Sequence, residues 1–337
     1  MTGVTGAGPW PGTDPLAAQR AVLDALTQVA EGVEGLPFTV LLVDRGPWGE
    51  PVGRSAALLV DLPTELGPHG WKLADHAGAD LARARSFARE DLDALAVAAH
   101  GYAGPLVVPV LGPISLAART DLAHGDRVLS DPWAVRDTAD SLAAGLAEHL
   151  AALVRAVPGA QPQLLLHEPQ LGQAMAGAVP TFSGRGQLRA IGGQLAAERI
   201  GTVVAAARAA GAAGVTVHVG AGWGVLGAAH AAGADAVGLE LAGLDEPAWE
   251  GLAEAVEGGT ALWAQLPPAM PSPGAVPTDL AGALVGPWLR VGLPLHGLMR
   301  TVLVAGRPEG PWTPEAARAA LGDLVRTARV VVDRALA

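Results

Sequence analysis

Residues 105–112, PLVVPVLG, followed by residues 131–157, DPWAVRDTADSLAAGLAEHLAALVRAV, form the unit whose reading decides the fold. The first is a short apolar run rich in β-branched residues and bounded by Gly and Pro, which predicts a buried strand. The second predicts a helix, with Ser130 or Asp131 as its cap, Pro132 in its first turn, and Leu142, Leu146, Leu150 and Leu153 at helical spacing. Such a strand–helix pair is half of a parallel βαβ unit.

The unit recurs downstream. QLLLHEP (163–169) reads as a strand before a helix over 187–210, and GVTVHVG (214–220) as a strand before a short helix over 223–232. DAVGLEL (235–241) is followed by a helix starting at Asp245-Glu246-Pro247. TALWAQL (260–266) precedes a helix near 279–290, and RTVLVAG (300–306) precedes one opening at Thr313-Pro314-Glu315. Upstream, TGVTGAG (2–8) and FTVLLVD (38–44) supply two more strands, with a helix over 14–30 between them. Eight units in 337 residues predict one (β/α)8 TIM barrel spanning residues 1–337. The doubly wound alternative calls for a Gly-rich phosphate loop after the first strand. GAGPWPG (6–12) places Pro where a phosphate-binding amide is needed.

Composition narrows the function classes. The chain carries a formal net charge of -11, and Lys72 is its only lysine. An acidic surface repels phosphate backbones, which argues against nucleic-acid binding. Cys is 0, so no thiolate serves as nucleophile or metal ligand. The first residues lack a basic region followed by an apolar stretch, and no apolar run reaches about 18 residues. The expectation is a soluble cytoplasmic protein that binds a small molecule at the barrel mouth.

Side-chain alternation places the candidate site. In VTVHV, Val215, Val217 and Val219 share one face, and Thr216 and His218 share the other. In DAVGLE, Ala236, Gly238 and Glu240 point inward, with two small residues leaving space below the carboxylate. His167 and Glu168 end their strand. Catalytic groups of a barrel gather at the C-terminal strand ends, so His167 or Glu168, His218 and Glu240 are placed at one mouth.

These residues also carry a family likeness. TGAGPWPGTDP (5–15), VLGPIS (110–115), HEP (167–169), VHVG (217–220) and ADAVGLE (234–240) follow one another in an order and spacing that resembles the catalytic barrel of cobalamin-independent methionine synthase, particularly its short single-barrel relatives. The resemblance implies methyl transfer from a methyltetrahydrofolate to homocysteine, with a zinc ion held by His, Glu and two Cys. His218 and Glu240 match two of those ligands, while Gly220 and Ala305 stand at the two Cys positions. Pro9, His167 and Arg45 replace a Ser, an Asp and a Glu of the family pattern. Those changes shift the pocket toward positive charge and an anionic ligand. Two ligands do not hold zinc, so the parent reaction is expected to be absent or very low.

Each candidate has a sharp and a plain reading. His167, His218 and Glu240 would make a His2Glu metal set; alternatively His218 is a strand-end histidine bonded to a neighbour such as Glu240. Glu168 acts at the mouth with His167 and Arg45, or turns outward to an Arg. Arg45 is a catalytic candidate or a solvated loop residue. Trp10 and Trp223 are candidates to stack on a pterin, or they cap the barrel as packing. The stretches 118–129 and 267–279 read as a mouth loop and a Pro-rich loop. A catalytically silent or repurposed barrel that binds an anionic small molecule or a protein partner is the second functional reading. A decarboxylase-like activity, by analogy with the uroporphyrinogen decarboxylase barrel, is the third.

Overall fold

The computed structural model describes residues 1–266, 277–306 and 312–337. Its centre is an eight-stranded parallel sheet. In chain order the strands are β1 (Thr2–Gly6), β2 (Val33–Gly35), β3 (Ala103–Leu111), β4 (Gly159–His167), β5 (Gly214–His218), β6 (Ala236–Glu240), β7 (Ala261–Gln265) and β8 (Val302–Ala305). Spatial order runs β2-β1-β8-β7-β6-β5-β4-β3. The two edges approach each other through a parallel bridge between Phe38 and Val107. There Thr39 N–H donates to Val107 O at 2.9 Å and Val107 N–H donates to Pro37 O at 2.8 Å. The sheet is therefore curled, with helices on its outer side, in a TIM-barrel-like α/β architecture.

The strand–helix rhythm read from the sequence is the rhythm observed. Asp131 caps the helix Pro132–Ala156 by accepting from Trp133 N, and Leu142, Leu146, Leu150 and Leu153 are fully buried. Each such burial is worth about 1.5–3 kcal/mol. Asp245 and Thr313 cap the helices Glu246–Glu257 and Pro314–Leu336 in the same way.

Three local expectations are corrected. FTVLLVD was expected to be the second strand, but the ladder with β1 is made by Val33–Gly35. Leu41–Leu42 peel away and pair with Pro9–Trp10 in a separate two-stranded sheet. The helix expected over 187–210 begins at Gly193, because residues 180–187 form a tight loop closed by the Pro180–Gln187 bridge. Residues 118–129 are not all loop: Ala118 and Arg119 end the helix Pro113–Arg119, and Asp121 bridges both Lys72 and Arg127. Most of the Pro-rich stretch, 267–276, lies outside the described residues. Among the described residues no helix is long and apolar enough to cross a membrane.

Candidate functional site

Strand register brings His167, His218 and Gly238 into one row across β4, β5 and β6, and Trp263 on β7 continues it. Paired residues of a parallel ladder leave the sheet on the same face. The His167 and His218 rings lie with centroids 5.3 Å apart, tilted by 54°. The space foreseen beside Gly238 is filled by the His218 ring: a β-carbon at 238 would stand 2.3 Å from its Cδ2.

The tautomers follow from the partners. His167 Nε2 is 2.8 Å from Ala7 O, and a carbonyl only accepts, so His167 carries its proton on Nε2. Gly220 N–H donates to His218 Nδ1 at 3.2 Å, which puts the His218 proton on Nε2. Gly220 makes that turn in the left-handed region, at φ +63°. His218 is 2% exposed, and its Nε2–H is buried without a hydrogen-bond partner among the described residues. Burial, reinforced by the neighbouring His167, holds the His218 imidazole down at about 3. Burial likewise holds His167 at about 4, against the hydrogen bond to Ala7. Both rings are therefore neutral at pH 7.

Glu168 neither turns outward nor joins the two imidazoles. It is fully buried, and its carboxylate accepts from Ile114 N at 2.9 Å and Ser115 N at 2.6 Å at the start of the helix Pro113–Arg119. Gly112 leaves the room, since a β-carbon there would meet Glu168 Oε1 at 2.3 Å. Burial pushes the Glu168 carboxyl up to about 7, although the Ser115 and Ile114 hydrogen bonds favour its charged form.

Glu240 is half-buried, two residues beyond Gly238 on the same face of β6. A β-carbon at Gly220 would stand 3.8 Å from its Oε1. It makes no hydrogen bond to His218: Nδ1 accepts from Gly220 N–H and Nε2–H is unpartnered among the described residues. The His2Glu metal set is not assembled: His167 Nε2 and His218 Nδ1 are both engaged with backbone. Among the described residues no three His, Asp or Glu side chains are grouped to hold a metal ion. These residues do not fit zinc.

Arg45 stands elsewhere. It donates to Thr13 O, pairs with Asp91 at 3.2 Å and Glu90 at 3.4 Å, and lies over the Phe87 ring at 4.7 Å. Its charge is spent on a cluster with Arg54, whose Nη2 is 2.9 Å from Asp91. Trp10 is 2% exposed and packs on Phe38, beside a cavity of about 50 Å³ that is too small for a pterin. Trp223 is 37% exposed and leans on Gly251. Sequence reasoning missed Arg54 and Asp91. Their partners lie tens of residues away, and Asp91 sits in a charged helical stretch that reads as a solvated face.

Comparison with known proteins finds no matching family model and no matching curated protein. Solved structures do match. One is described as a "putative lyase/mutase" from Burkholderia cenocepacia J2315, at 16% identity and TM-score 0.40, over 96% of this chain and 82% of that one. Another is a "putative phosphonomutase" from the same organism, at 17% identity and TM-score 0.34, over 71% and 75%. A third is the carboxyl transferase domain of Rhizobium etli pyruvate carboxylase with pyruvate, at 14% identity and TM-score 0.27, over 60% and 38%. These identities and scores transfer no activity to this chain. The resemblance to cobalamin-independent methionine synthase is overturned: no family model or curated protein carries it, and the ligand set it implies is not assembled among the described residues. The methyltransferase and methionine-biosynthesis readings go with it.

Proposed function

We propose that the strand-end site is an acid–base enzyme site for a small carbonyl compound, in which neutral His218 polarises the carbonyl oxygen and Glu240 is the adjacent base. The observation that carries this is the buried, unpartnered His218 Nε2–H. Leaving such a donor unmet costs about 1–3 kcal/mol, and a native structure that keeps one needs an account of it. A substrate oxygen is that account.

A neutral imidazole suits the task. Its N–H stabilises developing charge on a carbonyl oxygen without surrendering a proton, and its surroundings hold it neutral. The Glu240 carboxylate has no hydrogen-bond partner among the described residues, so its lone pairs are open to a proton. In the proposed step Glu240 takes a proton from the carbon next to the carbonyl. The C–H electron pair becomes the new C=C bond, and the carbonyl π pair moves to the oxygen facing His218. The enolate then recovers a proton from Glu240 at the same carbon, which restores the carbonyl and the carboxylate. Burial first, and the neighbouring His167 second, hold the His218 ring neutral.

The test is deuterium exchange at the α-carbon of a panel of 2-oxo acids, ketones and aldehydes in D2O, read by NMR. Exchange above the protein-free rate is expected for one or more compounds. It should fall about 100-fold or more in Glu240→Gln and in His218→Asn. No exchange with any member of the panel overturns the reading, as does exchange that both variants retain.

A further inference from the structure

On the flank of the barrel, away from the strand ends, the helices Pro51–Leu58, Ala79–Ala98 and Pro132–Ala156 splay around a cavity of about 900 Å³. None of His167, His218 and Glu240 lines it. That volume is within the range of small-molecule sites. Its apolar lining includes Leu81 and Leu92 from one helix and Ala152 from another.

Charges of both signs border this cavity without forming ion pairs among the described residues. Arg89 and Arg155 line it, are exposed, and make no ion pair among the described residues. The same holds for the carboxylates of Asp61, Asp75 and Glu148. Opposite charges that border one cavity without meeting are held apart by the elements that carry them. Arg89 is on the second helix, Arg155 and Glu148 are seven residues apart on the third, and Asp61 and Asp75 are in connecting segments. Asp61 is held at φ +54°, the one non-glycine residue with positive φ among the described residues.

A second observation lies at the inner end. His149 lines both this cavity and the small one behind it, where Arg54 and Asp91 stand. Its imidazole makes no hydrogen bond to any described residue. Burial and the nearby Arg54 hold it neutral, at about 4. Arg85, on the same cavity, donates to Ala57 O at 3.2 Å and Leu59 O at 2.8 Å.

We infer that this flank cavity is a second binding site, for a zwitterion with an apolar body, namely an amino acid with a large apolar side chain. The carboxylate meets Arg89 and Arg155, the ammonium meets the free carboxylates, and the side chain rests on the leucines. The inference is independent of the strand-end chemistry.

Calorimetric titration with L-tryptophan, tryptamine and indole-3-propionate tests it. L-Tryptophan is expected to bind, with each single-charge analogue about tenfold weaker or more. Arg89→Glu combined with Arg155→Glu is expected to weaken L-tryptophan about tenfold while sparing tryptamine. Both positions are exposed, so the fold is kept, and unchanged thermal midpoints check that. Arg136→Glu, on the same helix but outside the cavity, should leave binding unchanged. Equal affinity for the three compounds, no binding of L-tryptophan, or an undiminished affinity in the double variant overturns the inference.

Discussion

The His218 imidazole occupies the space that a side chain at Gly238 would need, with Cδ2 2.3 Å from where a β-carbon would stand. The register fixes this: residues 218 and 238 are paired across adjacent strands. Gly238→Ala must therefore move the ring, at a cost of about 1–3 kcal/mol. Adding His218→Ala relieves the clash. A double-mutant cycle by chemical denaturation should show the pair well below the sum of the single changes. Strict additivity would mean the ring is not seated there.

Glu168 anchors a helix start. Glu168→Ala leaves two buried N–H groups, on Ile114 and Ser115, without acceptors. The expected loss is about 2–4 kcal/mol, and Glu168→Gln, which keeps one carbonyl acceptor, should lose about half of that. Amide hydrogen exchange at residues 114 and 115 reads the effect locally. Retained protection in Glu168→Ala would contradict the capping role.

Asp91 holds two guanidinium groups, Arg45 and Arg54, in a place where their side chains are 9% and 11% exposed. Removing the carboxylate leaves like charges together and poorly solvated. Asp91→Ala should destabilise by about 3–5 kcal/mol, far more than Asp140→Ala, which breaks an exposed pair worth about 0.3–0.5 kcal/mol. Thermal unfolding of both variants distinguishes them.

Stability should fall in acid through the buried histidines. His149, His167 and His218 are held at about 4, 4 and 3 in the folded protein, against 6.5 when unfolded. Between those limits the unfolded chain binds more protons, so stability rises with pH up to about 6.5. Glu168 acts oppositely: its folded value is raised to about 7, so its contribution is full below about 4.5 and is lost as pH rises through 7. The midpoint of thermal unfolding should climb from pH 4 to 6.5, and the climb should be shallower in His218→Asn. An unchanged slope would show that His218 does not titrate as a buried neutral group.

How far the site could be read from the sequence differs residue by residue. Alternation in VTVHV and DAVGLE correctly set His218 on one face and placed Gly238 and Glu240 together, because β-strand geometry is local. That His218 fills the gap at Gly238, and takes Gly220 N–H rather than Glu240, depends on a neighbouring strand and a turn. Arg45 was foreseen at the mouth and is instead tied to Glu90 and Asp91 on another helix. The family likeness failed for a related reason. HEP, VHVG and ADAVGLE are strand-end strings of three, four and seven residues, too short to specify a family by themselves.

The sequence by itself determined the alternation of strands and helices and most of their ends. Apolar runs of period two, helical leucine spacing and the caps Asp131, Asp245 and Thr313 act within a few residues of one another. Tertiary structure alone decided which segment continued β1's ladder, Val33–Gly35 rather than FTVLLVD, because a parallel partner is chosen by where the chain returns. It alone decided the neutrality of His167 and His218 and the diversion of Arg45. Burial and through-space charge have no counterpart in the order of residues along a chain.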